Sequence, residues 1–174
     1  DPTNFYGYST DYRDVQVDIA TARLDHQFNE IAALRSVVRW GRAHNDSIMS
    51  APRFVGAVTT LDTATQAVGN QKPRDQTDEV LVNQTDLTLD FDTGALAHTL
   101  VVGVELAKEE TSNLRRLDAN GPATNLFNPA LQAAAPIAYN GTEVTLDTDT
   151  TSFFLFDTIE IGQRWRVVAG VRHD

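Results

Sequence analysis

The run His98-Thr99-Leu100-Val101-Val102-Gly103-Val104-Glu105-Leu106 decides how this chain folds. Leu100, Val102, Val104 and Leu106 occupy every second position, with Thr99, Val101, Gly103 and Glu105 between them. On a helix this set would be scattered around the surface. On a strand, whose successive side chains point to opposite faces, it sorts into one aliphatic face and one mixed, more polar face. The run predicts a strand over about 95–110.

The same period recurs on either side. Upstream, 79–92 places Leu87, Leu89 and Phe91 against Asp86, Thr88 and Asp90, and Asp92-Thr93-Gly94 closes a tight hairpin in which Gly supplies positive φ. A first pair of strands is predicted over 15–28 and 33–44, joined at Asn29-Glu30, with Leu34, Val38 and Trp40 opposed to Arg35 and Arg39. A last pair covers 150–160 and 163–174 around Gly162-Gln163. There Phe154, Phe156 and Thr158 oppose Leu155 and Asp157, while Trp165, Val167, Ala169 and Val171 face away from Arg164, Arg166 and Arg172. Two polar intervals, 45–78 and 111–147, contain five of the six prolines and most of the asparagines, and read as long loops.

The order is strand, short turn, strand, long loop, repeated. In an up-and-down sheet alternate connections lie at opposite ends, so short turns gather at one end and long loops at the other. That asymmetry, with about ten-residue alternating strands, is the pattern of a transmembrane β-barrel. The expected fold is therefore all-β: an antiparallel up-and-down barrel segment of about six strands in three hairpins. Leu87, Leu89, Leu100, Val102, Val104, Leu106, Val167 and Val171 are expected to face lipid. Arg23, Asp25, Arg35, Arg39, Asp86, Glu105, Asp157, Arg164, Arg166 and Arg172 are expected on the lumen side. Phe28, Phe91 and Trp165, next to short turns, fit an interfacial aromatic girdle.

Composition excludes several alternatives. The net charge of −10 argues against nucleic-acid binding, which uses a basic patch. With no cysteine there is neither a disulfide framework nor a thiolate metal site. No stretch approaches the roughly 18 consecutive apolar residues of a spanning helix. The opening residues lack the basic and apolar regions of a signal peptide, so any such leader was removed or lies outside this segment. His26, His44, His98 and His173 show no ligand spacing. Asp90-Phe91-Asp92-Thr93-Gly94 resembles the opening of a calcium loop, but Val101 stands where the closing bidentate acid belongs. Asn-x-Ser/Thr patterns at Asn45, Asn83 and Asn140 are short enough to arise by chance. No phosphate loop, nucleophile elbow or supported carboxylate pair is present. No catalytic, cofactor or metal residue is assigned, and no enzyme activity is expected.

Several pieces resemble one family, the TonB-dependent siderophore receptors. They are Asn83-Gln84-Thr85-Asp86-Leu87 followed by His98 to Glu105, then Asn125-Leu126-Phe127-Asn128-Pro129, then Phe156-Asp157-Thr158, Arg164-Trp165 and Gly170-Val171-Arg172-His173-Asp174. His173 departs from the tyrosine common at that place. The resemblance implies a bacterial outer-membrane receptor with a plug inside a barrel of about 22 strands, taking up ferric siderophores with energy from the TonB complex. On that reading 1–174 is a barrel fragment without its plug, in contact with outer-membrane lipid, and TonB acts through the missing plug. A receptor for cobalamin or a carbohydrate, and a soluble β-sandwich binding module, are the alternatives.

Arg and Tyr side chains suit anionic, aromatic ferric complexes. The expected ligand contacts are therefore Tyr6, Tyr8 and Tyr12, which precede the first strand, with Arg53, Arg74, Arg115, Arg116 and Tyr139 from the long loops.

Overall fold

The computed structural model describes residues 3–58 and 60–174, leaving Asp1, Pro2 and Thr59 outside. The described chain is an antiparallel sheet without helices. Its strands are β1 (Tyr12–Asn29), β2 (Ala32–Phe54), β3 (Gln66–Thr93), β4 (Leu96–Arg116), β5 (Ala119–Asn125), β6 (Tyr139–Ile161) and β7 (Trp165–His173). They lie in the order β1-β2-β3-β4-β6-β7, with β5 paired to β3.

The three hairpins and their unlike ends are those expected. Short turns follow β1, β3 and β6, while the connections after β2 and around β5 are longer. Asn29 shapes the first turn by accepting the Ile31 amide on its side-chain oxygen at 2.9 Å, an Asx turn. Gly94 and Gly162 take φ of 68° and 60° in the other two.

Two features go beyond the expectation. The polar intervals are largely strand, since β2 runs on to Phe54 and β3 begins at Gln66. The second interval also holds β5, which resumes pairing with β3 after Leu117-Asp118, with Gln71 opposite Ala119 and Gln66 opposite Asn125. Polar residues hid these strands because a strand outside a core or lipid needs no apolar alternation; its ladder hydrogen bonds are enough.

Contacts divide the chain into two compact units. One comprises Asp1–Val17, Ala43–Thr77 and Thr111–Thr145; the other comprises Asp18–Arg42, Asp78–Glu110 and Leu146–Asp174.

The second unit has two unlike faces. On the polar face Thr99 donates to Asp90 at 2.7 Å, and Arg172 donates to Glu105 at 2.7 Å and to Ser152 at 2.9 Å. A cavity of about 640 Å³ on this face is lined by Asp25, Arg35, Gln84, Asp86, Thr88 and the ring of Phe154, among others. The β6–β7 register sets Leu155 opposite Val171, Asp157 opposite Ala169, Ile159 opposite Val167 and Ile161 opposite Trp165. Directly opposed residues share a face, so these pairs belong to the apolar one. Its Val102, Leu106, Val167 and Val171 are exposed, with no second layer of described residues over them.

Asp157 is a correction. It was expected among the lumen-side charges, yet it lies on the apolar face. There the His98 ring bridges it at 2.8 Å (Nδ1) and Thr93 at 2.7 Å (Nε2), and stacks on Phe91 with centroids 5.0 Å apart. Phe154 and Phe156, one residue out of phase, take the polar face instead. The reason is steric: Phe154 lies over Gly103 of β4 and Phe156 over Gly170 of β7, where a Cβ would collide with each ring. A strand glycine leaves a hole, and an aromatic ring from the next strand fills it. Arg164 sits in the last turn rather than on a strand face.

Gly170→Val is therefore expected to displace the Phe156 ring and cost about 1–3 kcal/mol by overpacking. Gly94→Ala meets open space and is expected to cost only the left-handed strain of about 1–2 kcal/mol. Unfolding of the two variants checks this; an undisturbed Phe156 ring in Gly170→Val would refute the packing argument.

Candidate functional site

The first unit brings together side chains from five strands. Tyr12 (β1) donates its hydroxyl to Asp46 (β2) at 2.8 Å. Arg116, at the end of β4, donates from Nη1 to the Tyr12 oxygen at 3.0 Å and from Nη2 to Asp46 at 2.8 Å. The same Nη2 donates to the Tyr139 hydroxyl (β6) at 2.8 Å, and the guanidinium carbon sits 4.6 Å from the centroid of that ring. Tyr139 in turn donates to Asp75 (β3), whose carboxylate lies 3.6 Å from Arg116 and 3.9 Å from His44. His44 also meets the Thr77 hydroxyl at 3.1 Å.

Arg116 is 8% exposed and Asp75 9%. A buried guanidinium requires partners, and this one has two carboxylates and two phenols. Burial pulls the Arg116 pKa down, but the hydrogen bonds of Tyr12 and Tyr139 and the charge of Asp46 outweigh it, and the net direction is up. The Tyr12 phenol is pushed up by burial and by its bond to Asp46, and the Tyr139 phenol by its bond to Asp75 and by burial. Both stay protonated donors at neutral pH.

Of the eight expected contact residues the structure gathers three, Tyr12, Arg116 and Tyr139. Tyr6 and Tyr8 are tied to backbone instead. Tyr6 donates to the Leu126 carbonyl at 2.5 Å. The Tyr8 oxygen accepts the Gly69 amide at 2.7 Å and lies 3.1 Å from the Pro122 carbonyl, and its buried ring fills the space over Gly69 and Gly121. Arg53, Arg74 and Arg115 are exposed. Arg74 and Arg115 each adjoin a network residue in a strand, so the pleat turns them to the opposite face from Asp75 and Arg116.

Sequence reasoning missed Asp46, Asp75 and His44, because all three fall at or beyond the ends of the strands it drew. Among the described residues no group of three or more His, Asp or Glu is placed to hold a metal ion.

A two-faced antiparallel sheet with all its short turns at one end is the wall of a β-barrel. The family model "TonB dependent receptor-like, beta-barrel" matches residues 1–174, and the chain belongs to that family. It is 31% identical to the catecholate siderophore receptor Fiu of Escherichia coli K12, over 100% of this chain and 24% of that protein. It is 28% identical to the probable TonB-dependent receptor BfrD of Bordetella pertussis, over 98% of this chain and 25% of that one. The chain thus spans about a quarter of the length of these relatives. In structure it resembles the ferric-catecholate import receptor Fiu of E. coli K12 in its open form, with a TM-score of 0.85 and 31% identity over 97% of this chain and 26% of that one. The siderophore receptor PiuA of Acinetobacter baumannii shares the fold, with a TM-score of 0.73 at 20% identity over 97% of this chain and 26% of that one.

The raised phenol pKa values set a pH dependence. The folded chain holds the Tyr12 and Tyr139 protons more tightly than the unfolded chain does. The network's stabilisation is therefore complete below the ordinary phenol value of 10.0 and is lost as pH rises through the higher folded values. Ultraviolet titration of the receptor is expected to lose, in Tyr139→Phe, a tyrosinate signal that rises above the ordinary phenol value. Arg116→Met, which leaves Asp75 buried without its cation, is expected to cost about 3–5 kcal/mol. A loss below 1 kcal/mol in denaturant unfolding would show that the network carries no such burden.

Proposed function

We propose that this chain is part of the outer-membrane barrel wall of a TonB-dependent receptor that imports ferric siderophores of the catecholate class. The observation that carries the reading is the likeness, in sequence and in backbone, of nearly all of this chain to about a quarter of the ferric-catecholate receptor Fiu. The strand segments of the second unit cross the lipid. Their exposed aliphatic face meets hydrocarbon, and their polar face turns to the lumen. The segments of the first unit stand outside the membrane. A soluble sandwich finds no support, because Val102, Leu106, Val167 and Val171 would be sealed in one and are exposed here.

In this reading the chain performs no chemistry. It is one part of a longer barrel, whose other strands pair with the free edges of β1 and β7, and energy from TonB reaches the receptor through a plug encoded elsewhere in the protein. Exposed Arg53, Arg74 and Arg115 are the candidate contacts for an anionic ferric complex. Tyr6 and Tyr8 are reassigned to holding the backbone, and Tyr12, Arg116 and Tyr139 to the network.

Two experiments test this. Cells lacking the whole receptor gene are expected to lose growth on ferric catecholates as sole iron source and to regain it on complementation. Growth restored only for cobalamin or a carbohydrate would overturn the ligand class. In the assembled receptor, Val102→Arg is expected to cost about 2–4 kcal/mol near the bilayer midplane. Thr99→Arg, beside Asp90 on the polar face, is expected to cost far less. Equal costs would sink the assignment of faces.

A further inference from the structure

The tip of the β6–β7 hairpin differs in charge from the other two short turns. Glu30 stands in the first and Asp92 beside the second, whereas Arg164 stands in the third and Arg166 just after it. In a chain of net charge −10 this is a local surplus of positive charge. Arg166 is occupied: it donates to the carboxylate of Glu160, its partner across the ladder, from Nε at 3.1 Å and again from Nη2. Arg164 is exposed and enters none of the ion pairs among the described residues. These three side chains share a cavity of about 440 Å³ with Gly162, Gln163 and Trp165. Trp165 follows Arg164 directly, stands opposite Ile161 on the apolar face and is 72% exposed. An indole that its own sheet leaves so bare belongs where hydrocarbon gives way to headgroups, since it has an apolar body and a polar N–H.

We infer that this hairpin tip binds the headgroup of an anionic phospholipid, in the leaflet that the short turns reach. The free Arg164 guanidinium donates to the phosphodiester oxygens, for which its planar fork is suited. Trp165 lies against the glycerol and first methylenes of the same lipid. Charge selects among lipids. A choline or ethanolamine headgroup brings a cation of its own beside two guanidinium groups, which repel it. A glycerol headgroup adds only hydroxyls, which the Gln163 carboxamide can meet. Glu160 does not oppose the phosphate, because Arg166 already answers its charge. Free phosphate would satisfy Arg164 but leave the indole bare, so the lipid is the source. The assignment rests on the reading of the second unit as membrane wall and adds to it a site with a preferred lipid.

The test uses the full receptor, labelled with 5-fluorotryptophan, in phosphatidylcholine nanodiscs. The fluorine signal of Trp165 is assigned by its loss in Trp165→Phe. Small equal fractions of phosphatidylglycerol or phosphatidylcholine, each carrying a nitroxide near the headgroup, are then added and the broadening of that signal is compared. Labelled phosphatidylglycerol is expected to associate about fivefold more strongly, the order of one guanidinium at an anionic surface. The preference is expected to shrink in high salt, to vanish in Arg164→Gln and to survive in Arg164→Lys. Equal broadening by the two lipids would overturn the headgroup site and leave the membrane wall standing. No broadening by either would overturn both. A preference undiminished in Arg164→Gln would show that this turn does not select the lipid.

Discussion

The pleat is the constraint on which everything else in this chain rests. Because neighbouring side chains on a strand must leave by opposite faces, a single residue's step decides between the apolar face and the polar one. The β6–β7 pairing shows how tightly that decision is held. Leu155, Asp157, Ile159 and Ile161 stand opposite Val171, Ala169, Val167 and Trp165. A slip of β7 by one position would send Val171, Ala169, Val167 and Trp165 to the charged face and bring Arg166 and Arg172 out in their place. Glycine fixes the phase from the other side: Phe154 and Phe156 fit only where Gly103 and Gly170 leave room. Aliphatic alternation and ring-over-glycine packing thus specify the same register independently.

Asp157 shows what the pleat costs when a polar residue falls in the wrong phase. It cannot move to the polar face without taking Leu155 and Ile159 with it. Its charge is met locally instead, by His98 from the neighbouring strand, which is held in turn by the Thr93 hydroxyl and the Phe91 ring. The cluster lies beside the short turn between β3 and β4. One carboxylate oxygen of Asp157 remains buried without a partner, so the compensation is partial. A buried ionisable group in this setting is tolerable when paired and expensive when alone.

How much of this was legible in the residues depended on where apolar alternation was required. β4, and β3 from Asp86 onward, could be read directly, since Leu87, Leu89, Leu100, Val102, Val104 and Leu106 alternate without a break. The turns were legible because Gly94 and Gly162 take a backbone conformation that other residues avoid. β5 and the outer parts of β2 and β3 were not, because Asn70, Lys72, Arg74 and Asn120 satisfy a ladder as well as valine does when neither face needs grease. The Arg116 network was half legible. Tyr12, Arg116 and Tyr139 stood out by residue type, whereas Asp46 and Asp75 gained meaning only once those polar stretches became strands. For Phe154 and Phe156 composition pointed the wrong way, since the rings went to the polar face to cover glycines on adjacent strands, a relation between residues far apart in sequence.

The tyrosines make the limit of residue-type reasoning concrete. Tyr6, Tyr8 and Tyr12 lie within seven positions and carry the same chemical suggestion, yet their surroundings give them different work. Tyr8 is buried, and its oxygen takes the Gly69 amide while its ring occupies the space over Gly69 and Gly121. Its role is to hold β3 and β5 where their ladder breaks step between Val68 and Asn70. Tyr6 secures the Leu126 carbonyl just past β5. Only Tyr12 reaches a charged centre, and it does so because β1 begins there, so that the pleat aims its hydroxyl at Asp46 and Arg116. A phenol pinned to backbone amides and carbonyls has little left to offer a ligand. One shared between a guanidinium and a carboxylate instead ties the start of β1 to the charged centre formed by β2 and β4.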